Sequence, residues 1–117
     1  MSGEKKMIPP FKAAVVVPTN RPDRIASFIK AWRGQFDQSH VRLLVIEDFP
    51  EKQSVFPSWV EHYCHEDIDR ELGSRAWCIP RLAGGIRSFG FWKAAQEASV
   101  DMIVSLDDDC LPSAAFH

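Results

Sequence analysis

Sulfur is scarce and unpaired in this sequence: among 117 residues there are three cysteines, Cys64, Cys78 and Cys110, and no two stand in a Cys-x-x-Cys spacing. An odd set of this kind argues against a disulfide framework and against a sulfur-rich zinc site, so the three are read as reduced thiols. Long apolar runs are missing too. Nothing approaches the roughly 18 residues that a membrane span requires. The opening Met1-Ser2-Gly3-Glu4-Lys5-Lys6 carries no apolar stretch of the secretory type. A cytoplasmic setting without a transmembrane segment is expected. Charge of one sign is also in short supply, because 14 Lys and Arg against 16 Asp and Glu leave a formal net charge of −2. No global field recruits nucleic acid or an anionic membrane, so an anionic ligand has to be held locally. Repeats and low-complexity tracts are absent.

What is present is ordinary globular composition, 45% hydrophobic and 26% charged, enough for one modest core. Residues 1–10, polar and then punctuated by Pro9 and Pro10, read as a flexible leader, and 11–117 as a single domain. Three apolar runs predict strands: Ala13 to Val17, Val41 to Ile46 and Met102 to Leu106, with a weaker fourth from Trp59 to Cys64. Runs apolar on both faces suit central strands of a covered sheet. After the first run, Pro22 opens a helix whose Ile25, Phe28, Ile29 and Trp32 follow the i, i+3, i+4, i+7 rule, and Gly34 is expected to stop it. A short helix is expected over Glu66 to Leu72 with Gly73 as its cap. A longer one is expected from Arg81 to Ala98, with small residues Ala83, Gly90, Ala94 and Ala98 on one stripe and Leu82, Ile86 and Phe89 on another. The pattern is α/β with a largely parallel, Rossmann-like sheet covered by helices. Most tryptophans, Trp32, Trp59, Trp77 and Trp92, are assigned to the core by periodicity.

Ligands in such sheets bind beyond the carboxyl ends of the strands. The residues there are Pro18-Thr19-Asn20-Arg21, Glu47-Asp48 and Asp107-Asp108-Asp109. In extended geometry Asp107 and Asp109 point to one side and Asp108 to the other. Adjacent carboxylates repel unless a cation neutralises them, and oxygen donors select a hard ion, Mg²⁺ or Mn²⁺, that bridges to phosphate. A solvated acidic turn is the alternative. Arg87, within Gly84-Gly85-Ile86-Arg87-Ser88-Phe89-Gly90, can grip a phosphate bidentately where glycines let a ligand approach, although the spacing is neither a Walker loop nor a dinucleotide fingerprint. Helix packing with a solvated arginine explains the same residues. Asp48 can accept a hydrogen bond from a ribose hydroxyl or a base N–H, or merely end a strand. Thr19, Asn20 and Arg21 can hold a base or phosphate, and Thr19 or Asn20 can equally cap the helix. His62-Tyr63-Cys64-His65 offers soft donors but lacks the four spaced ligands of a zinc site. Cys110, beside three aspartates, is disfavoured as a thiolate nucleophile.

In this order the motifs resemble the nucleotide-sugar half of a GT-A glycosyltransferase. More narrowly, Asp67-Ile68-Asp69-Arg70-Glu71-Leu72-Gly73, Cys78-Ile79, Arg87-Ser88-Phe89-Gly90-Phe91 and Leu106-Asp107-Asp108-Asp109-Cys110 are similar to the reversibly glycosylated polypeptides, the UDP-arabinopyranose mutase family. That resemblance implies a UDP-sugar ligand, UDP-arabinose by the family's habit, and a Mn²⁺ or Mg²⁺ ion at the Asp-Asp-Asp motif, with Asp107 and Asp109 as ligands. It implies nucleotide contacts from Pro18, Thr19, Asn20, Arg21, Asp48 and Asp108, with Arg87 facing the diphosphate. The family interconverts pyranose and furanose forms of UDP-arabinose, an isomerase reaction, and can carry a sugar on an arginine that lies beyond the Asp-Asp-Asp motif. Two departures stand out: the family's Asp-Gly after the second strand is Asp48-Phe49 here, and an acidic residue of the helix region is replaced near Ala83.

Because a GT-A domain continues past its metal motif while this sequence ends at His117, the chain is expected to be part of a longer enzyme. An uncovered last strand would favour homo-oligomers or aggregation. Two other functions fit an acidic strand end. A haloacid-dehalogenase-like phosphatase would use Asp107 as nucleophile and Asp109 as acid, but places that motif on its first strand. A receiver-like interaction module would need a lysine after a later strand.

Overall fold

The computed structural model describes residues 13–81, 85–96 and 100–112. The leader expected over 1–10 lies outside them, as do Leu82, Ala83, Gly84 and Ala98 of the longest expected helix. The four apolar runs form β1 (Ala13–Thr19), β2 (Val41–Glu47), β3 (Val60–Tyr63) and β4 (Met102–Ser105). They build one sheet in the order β3-β2-β1-β4, parallel at every pairing. In this register Val16 of β1 lies between Leu44 of β2 and Ser105 of β4.

Alternation along the two central strands supplies an apolar set to each face. Val15, Val17, Leu43 and Val45 pack under α1 (Pro22–Ser39), which contributes Ile25, Phe28, Ile29 and Phe36. Ala14, Val16, Leu44 and Ile46 pack on the other face against Ile68 of α2 (His65–Leu72), Ala76 of a following 3-10 helix (Gly73–Cys78), and Ile86, Phe89 and Ala94 at α3 (Arg87–Ala95). The result is the expected α/β Rossmann-like arrangement, a parallel sheet between helical layers.

Four expectations are corrected. First, α1 does not stop at Gly34 but runs to Ser39 and ends with His40 in the left-handed region at φ 53°. A mid-helix glycine costs about 1 kcal/mol, whereas burying a phenylalanine returns about 1.5–3 kcal/mol, and Phe36 is 4% exposed. Second, α3 spans Arg87–Ala95 rather than Arg81 to Ala98, and Gly85 sits close to Pro80, where a Cβ at position 85 would lie 2.6 Å from Pro80 Cβ. Third, β4 is the outer strand beside β1 rather than a central one, and its Met102 and Ile103 are exposed. Fourth, Trp77 and Trp92 are exposed, while Trp32 and Trp59 are half-buried and stack on or edge onto Phe36. The short helix with its Gly73 cap, at φ 55°, forms as expected.

Gly90 shows how closely α3 is seated. A Cβ there would lie 2.7 Å from Ile46 Cδ1 and closer still to Val16 Cγ1, both short side chains of the central strands. Gly90→Ala is therefore expected to destabilise the fold by about 1–3 kcal/mol through overpacking. Gly34→Ala, with nothing within 4 Å of the new methyl, is expected to stabilise it by about 0.5–1 kcal/mol. Urea unfolding of both variants checks the contrast.

Candidate functional site

The carboxyl ends of β1, β2 and β4 open into a cleft lined by Pro18, Thr19, Asn20, Arg21, Asp48, Ile86, Arg87, Asp107, Asp108 and Asp109. Every site residue expected from the sequence is thus brought to one place, with Ile86 added as an apolar wall. Its volume is about 190 Å³. That is below the roughly 300–1,000 Å³ of whole small-molecule pockets.

The three consecutive aspartates do three different things. They leave β4 in a turn, with the Cys110 N–H donating to Asp107 O at 3.0 Å, rather than in the extended run expected. Asp108 turns inward and is 4% exposed. Its Oδ2 accepts from the Thr19 hydroxyl at 2.7 Å and its Oδ1 from Arg21 Nη2 at 2.6 Å. Asp108 raises the Arg21 guanidinium above its ordinary pKa, by its hydrogen bond first and its charge second. Both oxygens being engaged, Asp108 ties the end of β4 to the end of β1. Thr19 also accepts from the Arg21 N–H at 3.1 Å, so it organises the turn into α1, whose N-cap, Arg21, makes no side-chain cap.

Asp107 and Asp109 stay outside that tie, with side chains 65% and 51% exposed. Each faces an arginine: Arg87 Nη2 donates to Asp107 at 3.0 Å, and Arg24 lies 3.8 Å from Asp109. Arg87 also donates to the Ser105 hydroxyl. Arg24 and Ser105 were not singled out by sequence. Arg24 is one turn beyond Arg21 on α1, a helical spacing that could have found it. Among the described residues no three His, Cys, Asp or Glu side chains converge as a metal cage. Asp107 and Asp109 are two exposed carboxylates, and hard cations such as Mg²⁺ take oxygen ligands of this kind together with water.

Asp48 enters the cleft from β2, with its N–H donating to Thr19 O at 2.8 Å so that the β1–β2 ladder extends to the site. It is 5% exposed. His62 and His65, weighed as zinc ligands from the sequence, instead each donate through Nε2 to a carboxylate at 2.6 Å, His62 to Glu47 and His65 to Asp48. Behind them Asp67 anchors the start of α2, accepting from the Cys64 N–H at 2.8 Å, from Lys52 at 3.0 Å and from Arg70. Burial pushes the Asp67 carboxyl up, but hydrogen bonds from Lys52, Cys64 N–H and Arg70 together outweigh it and hold its pKa below the usual value of 3.8.

Comparison with known proteins places these features in a lineage. The family model for the reversibly glycosylated polypeptides matches residues 12–115. The chain is 32% identical over 99 residues to a protein named probable UDP-arabinopyranose mutase 1 of Pisum sativum. It is 33% identical over 99 residues to probable UDP-arabinopyranose mutase 4 and 32% over 99 residues to UDP-arabinopyranose mutase 3, both of Arabidopsis thaliana. Each match takes in 82% of this chain and 25% of the relative. The chain therefore spans about a quarter of the length of the curated relatives it matches.

A carboxylate whose folded pKa is depressed stabilises the fold above its unfolded pKa and loses that contribution as pH falls through the folded value. For Asp67 the window begins near 3.8 and extends below it. The stability difference between the parent chain and Asp67→Asn is expected to be constant from neutral pH down to about pH 5 and to shrink on further acidification. Urea titrations at several pH values measure it.

Proposed function

The chain belongs to the family of reversibly glycosylated polypeptides, and from that premise we propose that its cleft binds the nucleoside diphosphate of a UDP-sugar as part of a UDP-sugar mutase or related glycosyltransferase. The observation that carries this reading is the gathering of Asp48, Arg87 and the 107–109 aspartates, from two separate strand ends and a helix start, around one cleft. Asp48 supplies a buried acceptor for a ribose hydroxyl or the uracil N–H. The Pro18 to Arg21 turn forms the wall against which the nucleoside lies. Arg87, fixed by Ser105 and Asp107, is placed to grip diphosphate oxygens in a fork.

Asp107 and Asp109 would hold a Mn²⁺ or Mg²⁺ ion, which when bound neutralises charge on the diphosphate leaving group. Arg87, which lines the cleft, donates to Asp107, and Arg24 lies beside Asp109, so both carboxylates carry a cationic neighbour. Asp108 keeps its place throughout, since its two oxygens serve the β1–β4 tie. Arabinose as the sugar and a mutase reaction are taken from the names of the relatives. No helix among the described residues is long and apolar enough to cross a membrane.

Calorimetric titration of the chain with UDP, in Mn²⁺ and again in EDTA, tests the reading. Binding is expected in Mn²⁺ and loss of it in EDTA. Arg87→Ala is expected to weaken binding by roughly tenfold or more, the worth of a charge-assisted hydrogen bond. Asp109→Ala is expected to abolish the difference between Mn²⁺ and EDTA. Absence of UDP binding by the folded parent chain contradicts the proposal.

A further inference from the structure

The end of β2 carries two consecutive carboxylates, and each is met by a histidine at 2.6 Å. Their surroundings differ. Glu47 is fully buried, and its remaining capacity is taken by the Gln53 N–H at 2.8 Å and the Ser54 hydroxyl at 2.9 Å. It staples the loop after β2 to the strand, and Phe56 of that loop lies against the His62 ring with centroids 4.2 Å apart. Asp48 faces the cleft, and among the described residues only its Oδ1 is engaged, by His65.

His65 is itself anchored. It is the first residue of α2, its N–H donates to Phe49 O at 3.0 Å, and its side chain is 11% exposed. The Asp67 anchor fixes the turn from which it projects. A carboxylate gripped at one oxygen by an immobile donor has its other oxygen fixed in direction, which lowers the cost of ordering when a ligand donor arrives.

The geometry points to His65 as a positioning residue for nucleoside recognition: by holding Asp48 Oδ1 it presents Oδ2 to the cleft as the acceptor for one N–H or O–H donor of the nucleoside. This rests on the UDP reading above and adds to it a residue that does not itself touch the ligand. Its action is confined to the nucleoside end, because Arg87 and the 107–109 turn are built on other elements.

The test compares UDP with inorganic pyrophosphate, which lacks the nucleoside, on the full chain. Gln and Asn at position 65 are close in size, but only Gln places an N–H near the position of Nε2. His65→Gln is expected to retain most of the UDP affinity and His65→Asn to lose roughly tenfold. Pyrophosphate binding should be unchanged in both. Combined with Asp48→Ala, His65→Asn should cost nothing further, since its effect passes through Asp48. Equal UDP affinity in His65→Asn and the parent, equal losses for UDP and pyrophosphate, or additive losses with Asp48→Ala each overturn the positioning role. Failure of the parent chain to bind UDP overturns the underlying reading together with it.

Discussion

The tie between Thr19 and Asp108 is the interaction on which the rest of the cleft depends. β4 is paired with β1 along only four residues, extended by one further bond from the Leu106 N–H to Val16 O at 3.1 Å. Its outer side has no neighbour among the described residues. A short outer strand of that kind has little to fix the direction of the chain that leaves it. Asp108 does so by reaching back 89 positions to the Thr19 hydroxyl and to Arg21. Thr19 in turn accepts the Asp48 N–H through its carbonyl. One residue at the end of β1 thereby aligns the ends of β2 and β4, and the three strand ends become one site.

Buried carboxylates are expensive unless their oxygens are satisfied, and the molecule meets that demand four times at this end of the sheet. Glu47, Asp48, Asp67 and Asp108 are all buried and hydrogen bonded, Glu47, Asp67 and Asp108 through both oxygens and Asp48 through Oδ1. The contrast with Asp107 and Asp109 is functional. Those two are exposed and, among the described residues, pair with arginines, in contacts of the weak, solvent-screened kind. The cleft thus separates fixed charges, which hold its shape, from exposed ones.

Much of the fold was legible because both central strands read apolar on two faces and α1 carries a clean helical stripe. The position of β4 was not, since an apolar run of four or five residues looks alike at the centre and at the edge of a sheet, and only pairing decides. Gly34 and the start of α3 differ from expectation for local reasons. Burial of Phe36 overrode a local helix breaker, and Gly85, seated against Pro80 where a side chain would clash, lies before a helix that starts at Arg87. The site was legible in its membership, because strand ends that are polar after apolar runs gather at one end of a parallel sheet. The division of labour within it was hidden. Which aspartate turns inward depends on how the end of β4 meets the end of β1, where Thr19 and Arg21 take Asp108, and the meeting of His62 with Glu47 depends on the β2–β3 register, in which Val45 lies opposite His62.

The central claim, that the aligned strand ends form a nucleotide-binding cleft, is most directly tested by recording amide NMR shifts of the isotopically labelled chain as UDP and Mg²⁺ are added. The account predicts changes concentrated at Thr19 to Arg21, Asp48 and Phe49, Ile86 to Ser88, and Leu106 to Cys110, with the α1 face at Ala26 to Arg33 unmoved. Changes confined to that α1 face, or none anywhere in a folded sample, would contradict it.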